Sequence, residues 1–513
     1  MTIKTQTRPL LRVGLLVVFI GIGAGVARTV SQRREINQVV ATVSVDQGPL
    51  ISALDGHLGR MFIGQGTTSD VGVLDVTRGM LVGTIAVAPT TGTEQIVDLN
   101  VDEQLHRLFV LTIPMIASAP FHGYINAFDA SSKRQIYRVP VALGGTDGIV
   151  VIEPQTQRLA VLSFPNYLPN GVTSDPRRDM VYLTILNAES GRLVRTLGLH
   201  PPHRTTGGDG SSVGAPIAVD ARTDQLYISA FDRSGVAIFN AIDGHLVRTA
   251  AIPHFTPTQG ARLMGSAIIV NEQLERVYIV DTTPGKGTLT TLDAGTAQVL
   301  HAVPIDVSTP PVIDVRTRRV FIIDRRNGRV GILDALSGHM LGVTGVQIAP
   351  PQAPTSGMVV DTRSGRLFVL DQRRAMLSIL DGTSGHLLHT VALGANPIGL
   401  AVDEHSGCVL VTTVGLLDGM RRPTGAGHVE VLDERTGMHI GPITTVGVAP
   451  YAVSIIPDAK RALVYNAGGT LRTADPWDRI PDWLRRALPF LPRPTANLRI
   501  VPSSVSVLDT SHC

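Results

Sequence analysis

One pattern of short apolar segments repeats nine times along this chain of 513 residues. Each copy contains an apolar strand ending in Asp, a polar turn, a second and a third apolar strand, another turn and a fourth strand. In one copy these four strands are predicted at 358–361, 366–370, 377–381 and 386–393. An Asp or Asn ends each third strand and marks the register: Asp75, Asp129, Asn187, Asn240, Asp293, Asp334, Asp381, Asp433 and Asp509.

Repeats of this length and alternation predict an all-β fold, the β-propeller. Four-stranded units that recur about every 40–55 residues with period-2 alternation are typical of propeller blades. We count nine units and expect seven to nine blades. The ninth unit stops after its third strand, and residues 39–46 are predicted to complete it as a fourth strand beside residues 505–509. Such closure removes an open sheet edge that would otherwise invite aggregation.

Several repeat segments resemble the YVTN-type family of surface-layer and periplasmic propellers. The family repeat runs Tyr-Val-Thr-Asn, then Val-Ser-Val-Ile-Asp, then Thr-Gly. Residues 463–466 and 506–509 match it here, as do residues 429–433 followed by Thr436-Gly437. The resemblance covers residues 39–513 and implies an exported propeller. Because these motifs are structural, the resemblance implies no particular chemistry, although the family includes a periplasmic propeller described as DNA-binding.

An apolar run at residues 13–27 predicts an N-terminal hydrophobic helix. With two leucines just upstream, it reaches the short end of the roughly 17–25 residues that span a membrane, and Arg12 can extend toward the headgroups. A cleaved signal peptide is the alternative, because Gly25-Val26-Ala27 offers the small residues of a cleavage site. We therefore expect a signal-anchor within residues 1–38 and an extracytoplasmic propeller over residues 39–513, or secretion after cleavage.

Composition and charge exclude several classes of protein. Residues 1–38 carry +5, so the net charge of +3 leaves −2 on residues 39–513 and no bulk basic field for nucleic acid. A hydrophobic content of 43% excludes a disordered chain. Two tryptophans are too few for the tryptophan-rich blades of quinone-cofactor dehydrogenases, and two cysteines fit no disulfide framework or zinc site. We predict no cofactor and no metal, and we expect Cys408 in the core.

Acidic-then-basic pairs recur in the loops between the second and third strands, and they are the most suggestive polar feature. In a ring these loops point the same way, so their arginines would line one rim. Guanidinium groups bind carboxylate and phosphate, and an anionic polymer such as polysaccharide or nucleic acid is the hypothesis. The alternative is a solvated turn in which Asp caps the backbone. The predicted arc comprises Arg177, Arg178, Arg233, Arg325, Arg326, Arg373, Arg374, Arg421 and Arg422.

Large insertions are predicted on this same face, where loops on a rigid scaffold commonly carry function. They span residues 112–124, 163–179, 199–215, 415–427 and 468–502. In the longest, apolar residues at i, i+3, i+4 spacing predict a short amphipathic helix at about 475–490. Trp477 and Trp483 of this segment either pack it over the ring as a lid or contact a partner or lipid.

Other polar residues favour structural roles. Asp220, Asp361 and Asp403 end a strand before a tight turn, where a carboxylate binds backbone amides. Histidines recur in the turn before the fourth strand and are expected in solvent. A further group of possible metal ligands shares the insertion-bearing face, but no spacing enforces a metal site there. It comprises His122, His200, His203, Asp209 and His254.

The sequence therefore predicts an exported, membrane-anchored propeller that acts as a binding or scaffold module for a protein partner or an anionic polymer. Two alternatives stay open. A propeller-type lactonase or hydrolase would need carboxylates converging with a metal or His at the channel mouth. A purely structural envelope component would need no site. No fixed-spacing motif assigns a catalytic residue, so the enzyme question is left undecided, leaning to no activity.

Overall fold

The repeated apolar segments fold into β-strands, as their alternation predicts. The computed structural model describes residues 38–45, 51–64, 69–88, 94–114, 122–145, 147–164, 180–199, 216–229, 235–252, 266–281, 287–306, 309–324, 326–348, 357–472 and 498–511. Within these ranges the chain forms 38 strands, and it contains no helix that would cross a bilayer. The two predicted helices, at 13–27 and at about 475–490, lie outside the described residues.

The strands group into nine blades of four, and each blade is an antiparallel sheet. Blade 1 contains β2 (Ile51–Asp55), β3 (Arg60–Gly64), β4 (Asp70–Asp75) and β5 (Met80–Ala86). Blade 2 contains β6 (Glu94–Asp102), β7 (Arg107–Pro114), β8 (His122–Asp129) and β9 (Gln135–Ala142). Blade 3 contains β10 (Asp147–Glu153), β11 (Arg158–Phe164), β12 (Val181–Asn187) and β13 (Leu193–Leu199). Blade 4 contains β14 (Ile217–Asp220), β15 (Gln225–Ser229), β16 (Gly235–Asn240) and β17 (Leu246–Ala251). Blade 5 contains β18 (Ser266–Asn271), β19 (Arg276–Asp281), β20 (Thr288–Asp293) and β21 (Val299–Pro304). Blade 6 contains β22 (Val312–Asp314), β23 (Arg319–Asp324), β24 (Arg329–Asp334) and β25 (Met340–Gln347). Blade 7 contains β26 (Met358–Asp361), β27 (Arg366–Asp371), β28 (Met376–Asp381) and β29 (Leu387–Ala392). Blade 8 contains β30 (Pro397–Asp403), β31 (Cys408–Thr413), β32 (His428–Asp433) and β33 (Thr444–Thr445). Blade 9 contains β34 (Pro450–Ile456), β35 (Arg461–Asn466), β38 (Ser504–Asp509) and β1 (Val39–Ser44). A two-stranded ribbon, β36 (Gly469–Arg472) with β37 (Leu498–Val501), extends from blade 9.

Blade 9 is completed by the N-terminal strand, as predicted. Its order is β1-β38-β35-β34, with Val39 opposite Leu508 and Val43 opposite Val505. The side chains of Thr42 and Ser506 meet across this pair, with 3.1 Å between their hydroxyl oxygens. The count of nine units and the closure by the N-terminal strand are therefore both confirmed.

Apolar side chains seal every boundary between blades, so the ring is closed. Nine buried clusters occur in the described residues, one for each pair of neighbouring blades. At the last boundary, Met61 and Ile63 of blade 1 pack with Leu463 and Val507 of blade 9. Burial of this kind contributes about 25 cal/mol per Å² of apolar surface, and it makes the ring a rigid support.

Arginine side chains add polar links at the same boundaries. Arg60, the first residue of β3, donates to the carbonyl oxygens of Ala130 and Ser131 in the next blade, at 2.8 and 2.7 Å. Arg461 in blade 9 makes the equivalent bond to the carbonyl of Thr77 in blade 1. The closing boundary thus repeats the chemistry of an ordinary one.

The Asp or Asn that ends each third strand caps the following turn. The carboxylate of Asp381 accepts bonds from the amide and hydroxyl of Ser384, both 2.7 Å. Asn187 and Asn240 accept the corresponding amide bonds in blades 3 and 4. The recurring residue that marks the register is therefore a local turn cap.

The blade topology places connections at two opposite faces. The turns between strands one and two have four residues in all nine blades, and they share the turn face with the turns between strands three and four. Loops between strands two and three, and between blades, lie on the loop face. Every connection longer than seven residues joins strand ends at this face, apart from residues 434–443, which lead to the short fourth strand of blade 8; these connections are 165–180, 200–216, 252–265, 348–357, 414–427 and 467–503. Four of the five predicted insertions are among them. The insertion predicted at 112–124 is shorter, because β7 continues to Pro114 and β8 begins at His122.

Candidate functional site

The described part of the arginine arc lies on the loop face of three consecutive blades. Arg326 belongs to blade 6, Arg373 and Arg374 to blade 7, and Arg421 and Arg422 to blade 8. These blades bring the five residues to one face, as the repeat pattern predicts. The remaining members of the arc, Arg177, Arg178, Arg233 and Arg325, lie outside the described residues, as do Trp477 and Trp483.

Aspartates organise the arginine-bearing turns by capping their backbone. In blade 7, Asp371 Oδ1 accepts the amides of Arg373 and Arg374 at 3.1 and 3.0 Å. Arg374 then donates to Asp371 Oδ2 and to the carbonyl of Gln347, at the end of blade 6. Arg326 likewise reaches the carbonyl of Pro304, at the end of blade 5. Both of these arginines therefore hold a turn against the preceding blade, while Arg373 is exposed.

Residues 414–427 of blade 8 form a preorganised loop. Asp418 accepts the amides of Met420 and Arg422 at 2.9 and 2.8 Å, and its second oxygen accepts Arg422 Nε at 2.8 Å. The Arg422 amide bond lowers the pKa of Asp418. Leu416 and Met420 project from this loop and are 73% and 75% exposed. Exposed apolar side chains on a preorganised loop are typical of contact residues.

On the turn face, a pair of carboxyl groups lies between blades 7 and 8. Glu434 directly follows the third strand of blade 8, and Asp361 ends the first strand of blade 7. Other blades carry a small buried residue at the position of Glu434, such as Ala188 or Ala335. Asp361 is fully buried. Among the described residues, the carboxyl group of Glu434 is the one possible partner for Asp361 Oδ2, and the carboxyl group of Asp361 is the one possible partner for Glu434 Oε2.

The pKa shifts of the two carboxyl groups have opposite directions, and from them we expect the pair to share one proton. Burial raises the pKa of Glu434 to about 7, and the hydrogen bond to Asp361 and its charge add to the shift. Burial opposes ionisation of Asp361, but hydrogen bonds from Glu434, Ser364 and Arg363 lower its pKa. Arg366 Nη1, 3.4 Å from Glu434 Oε1, favours ionisation of Glu434. A neutral Glu434 thus donates to an ionised Asp361.

A cavity of about 360 Å³ opens at the turn-face end of the central channel. Most of its lining is aliphatic, and Glu404 accepts bonds from the amide and hydroxyl of Thr362 at its edge. The lining residues are Val359, Leu400, Ala401, Val402, Glu404, His405, Ile455 and Pro457. Within the described ranges, no three residues of the metal-ligating types are placed to hold an ion together.

The residues predicted to be structural have the positions expected of them. Asp220, Asp361 and Asp403 are buried, and each accepts an amide bond from the turn that follows its strand. Cys408 is buried in the core. His245 lies exposed in its turn beside Asp243.

Sequence reasoning missed the pairing of Asp361 with Glu434. A signal was present, because Glu434 stands where most repeats have Ala or Gly. To use this signal, one must know that the residue directly after the third strand contacts the end of the first strand in the preceding blade.

Comparison with known proteins shows the fold alone. No protein-family model and no curated protein matches the chain. The chain is similar to a solved structure of the eukaryotic initiation factor, at 10% identity and TM-score 0.50, over 87% of this chain and 92% of that one. It is also similar to BamB from Moraxella catarrhalis (15% identity, TM-score 0.45, 74% of this chain and 97% of that one) and to a europium-containing methanol dehydrogenase (12%, 0.47, 92% and 93%).

Proposed function

We propose that the protein is an exported, membrane-tethered propeller of the YVTN type that serves as a binding or scaffold module. Residues 13–27 would hold it in the membrane, and the loop face would receive the partner. The expectation of export and anchoring comes from the sequence, and the choice of binding face comes from the topology.

One observation supports this proposal: the strand that follows the N-terminal segment begins at the face opposite to the long connections. Strand β1, which residues 1–38 precede, is the fourth strand of blade 9 and therefore begins at the turn face. Connections longer than seven residues lie on the loop face, with the exception of residues 434–443, which lead to the short fourth strand of blade 8. A chain tethered at the turn face presents its long loops away from the bilayer, on a support that nine apolar clusters make rigid.

The ligand class that the exposed arginines favour is an anionic polymer. Arg373 and Arg421 are exposed on the loop face of neighbouring blades. Arg326, Arg374 and Arg422 lie at the same face, and an Asp of its own turn partly neutralises each of them. Binding by this face would therefore be weak per arginine and would depend on several contacts at once.

The test measures binding of the full chain to double-stranded DNA and to polygalacturonate across a salt series. We expect binding at low salt that weakens as salt rises, because each neutralised anion releases counterions. Replacing Arg373 and Arg421 by Ala should weaken binding and flatten the salt slope. Arg78→Ala with Arg435→Ala removes two exposed arginines from the turn face and is the matched control. If the parent chain binds neither polymer at low salt, the arc is a set of solvated turns and the partner has different chemistry.

A further inference from the structure

Exposed aliphatic side chains encircle the ring at its turn-face edge. The second residue of the fourth strand is an exposed aliphatic residue in blades 1 to 7 and in blade 9, for example Leu81, Val194, Leu341 and Val40. In several blades the first residue of the strand is also aliphatic and exposed. We call these first two positions of the fourth strand the rim.

The exposure of the rim is unusual for an edge strand in water. Leu193, Leu246 and Leu387 each begin a fourth strand and are 55%, 52% and 50% exposed. Edge strands that face water are normally covered or carry charge. Single exposed apolar residues need no explanation, whereas exposure at the same strand position in eight of nine blades does. A partner that covers the whole edge accounts for all of these positions together.

Polarity changes along each of these strands with distance from the turn face. The two rim residues are followed by Arg195 and Arg248 in blades 3 and 4 and by His301 and His389 in blades 5 and 7. Burial and the neighbouring His339 lower the pKa of His301, and Arg248 donates to the carbonyls of Gly295 and Thr296, so Arg195 is the clearest cationic neighbour of the rim. An exposed threonine comes next in three of these blades. An exposed arginine directly behind two aliphatic side chains, as in blade 3, can meet lipid phosphates while the aliphatic groups contact the acyl chains.

The chain itself leads from the rim toward a membrane. Val40 is a rim residue of blade 9, and residues 28–37 join its strand to the apolar run at 13–27. Ten residues span at most about 35 Å, so a tether in the bilayer keeps the turn face near the lipid surface. Three arginines within this linker, Arg28, Arg33 and Arg34, match the anionic headgroups of that surface.

We infer that the rim is a lipid-contacting edge, on which the ring rests against the bilayer that holds its N-terminal segment. The inference rests on the proposed tether and adds an orientation to it. The turn face lies toward the headgroups, the rim side chains project between lipids, and the loop face points away.

The experiment places an environment-sensitive nitrobenzoxadiazole label at single cysteines in the full chain. The background carries Cys513→Ser, because Cys408 is buried and shielded from the label. Rim variants are Leu193→Cys, Leu246→Cys and Leu387→Cys, so the test survives the loss of any one. Thr249→Cys, three residues further along the strand of Leu246 and about 10 Å away, and Met420→Cys on the loop face are the controls.

Each variant is reconstituted into vesicles of neutral phosphatidylcholine and anionic phosphatidylglycerol, with and without nitroxide-labelled lipid. We expect the nitroxide to quench the rim labels at least about twofold, the Thr249 label less and the Met420 label not at all. Flotation of the vesicles separately reports whether the chain is tethered.

The outcomes distinguish the two proposals. A chain that does not float with the vesicles contradicts the tether, and the rim inference falls with it. A chain that floats but shows no quenching at the rim contradicts the rim inference and leaves the tether standing. Equal quenching at Leu246 and Met420 also contradicts it, because the ring would then have no fixed orientation on the lipid.

Discussion

Glu434 of blade 8 and Asp361 of blade 7 face each other across a blade boundary, and each holds a buried carboxyl oxygen that has no other partner among the described residues. The neighbouring charged groups are Arg363 and Arg366 of blade 7, and Glu404 in the adjoining turn of blade 8 binds Thr362, the residue after Asp361. Two ionised carboxylates at this spacing would repel each other inside the protein. The boundary between blades 7 and 8 is therefore sensitive to pH in a range where ordinary carboxylates are not.

The pH dependence of stability should reveal the shared proton. The pKa of Glu434 in the folded protein is raised to about 7 from 4.5, so its contribution is fully present below pH 4.5 and is lost as pH rises through about 7. Glu434→Gln keeps a donor for Asp361 and cannot ionise. We expect this variant to be more stable than the parent at pH 8, by the order of 1 kcal/mol, with little gain at pH 5.

Urea unfolding at pH 5, 6, 7 and 8 measures this difference. Glu189→Gln, at an exposed turn position on the same face, is the control and should leave the pH profile unchanged. Identical profiles for the parent and for Glu434→Gln would contradict the shared proton.

A disulfide between strands β1 and β38 should form in the ring as described. Thr42 and Ser506 are direct partners in the sheet, and their hydroxyl oxygens lie 3.1 Å apart. Thr42→Cys with Ser506→Cys places two thiols at a spacing that a disulfide accepts. We expect oxidation to join a peptide containing residue 42 to one containing residue 506, as detected by mass spectrometry. Thr42→Cys with Val505→Cys points the second thiol to the other side of the sheet and should form no link.

The turn cap at Asp381 should be replaceable by Asn and not by Ala. Hydrogen bonds from the Ser384 hydroxyl and amide lower the pKa of Asp381, so its contribution is present at neutral pH and is lost as pH falls below its ordinary value near 3.8. Asp381→Ala should lower stability by about 1 kcal/mol at pH 7. Asp381→Asn should stay within about 0.5 kcal/mol of the parent and should lose less stability at pH 3. Thermal unfolding at both pH values measures all three proteins, and equal losses for Ala and Asn would contradict the cap.

The arginine link between blades 1 and 2 should need a guanidinium group. Arg60 bonds two carbonyl oxygens of blade 2 with one nitrogen, and Lys lacks the planar fork that aims such donors. We expect Arg60→Ala and Arg60→Lys both to destabilise the protein, by about 1–2 kcal/mol for Ala and less for Lys. Arg78→Ala, exposed in the same blade, should change stability by under about 0.5 kcal/mol. Urea midpoints for the three variants test the link.

Much of the fold could be predicted from the sequence because its signals are local. The alternation along a strand and the capping Asp or Asn at its end each depend on a few neighbouring residues. The nine Asp and Asn residues from Asp75 to Asp509 each end a third strand, as predicted. Closure was predictable for the same reason, since residues near Val39 alternate like the other fourth strands.

The features that depend on two blades at once were harder to predict. The alternation of Asp and Arg predicted the capped turns, but not the bonds from Arg326 and Arg374 to carbonyls of the preceding blade. The pairing of Asp361 with Glu434 joins residues from different repeats. The rim was missed because an aliphatic pair at the start of a strand has the pattern of a buried one, and only the structure shows its exposure.

Labelling of the loop face in intact cells tests the central claim most directly, that the ring is tethered at its turn face with its loops directed outward. Met420→Cys in the Cys513→Ser chain places an exposed thiol on the loop face, and buried Cys408 is an internal control that should react only after denaturation. We predict that a membrane-impermeant maleimide labels Met420→Cys in intact cells and that the labelled protein stays with the membranes after an alkaline carbonate wash. Labelling that appears only after the cells are lysed, or protein released by the wash, would contradict the account.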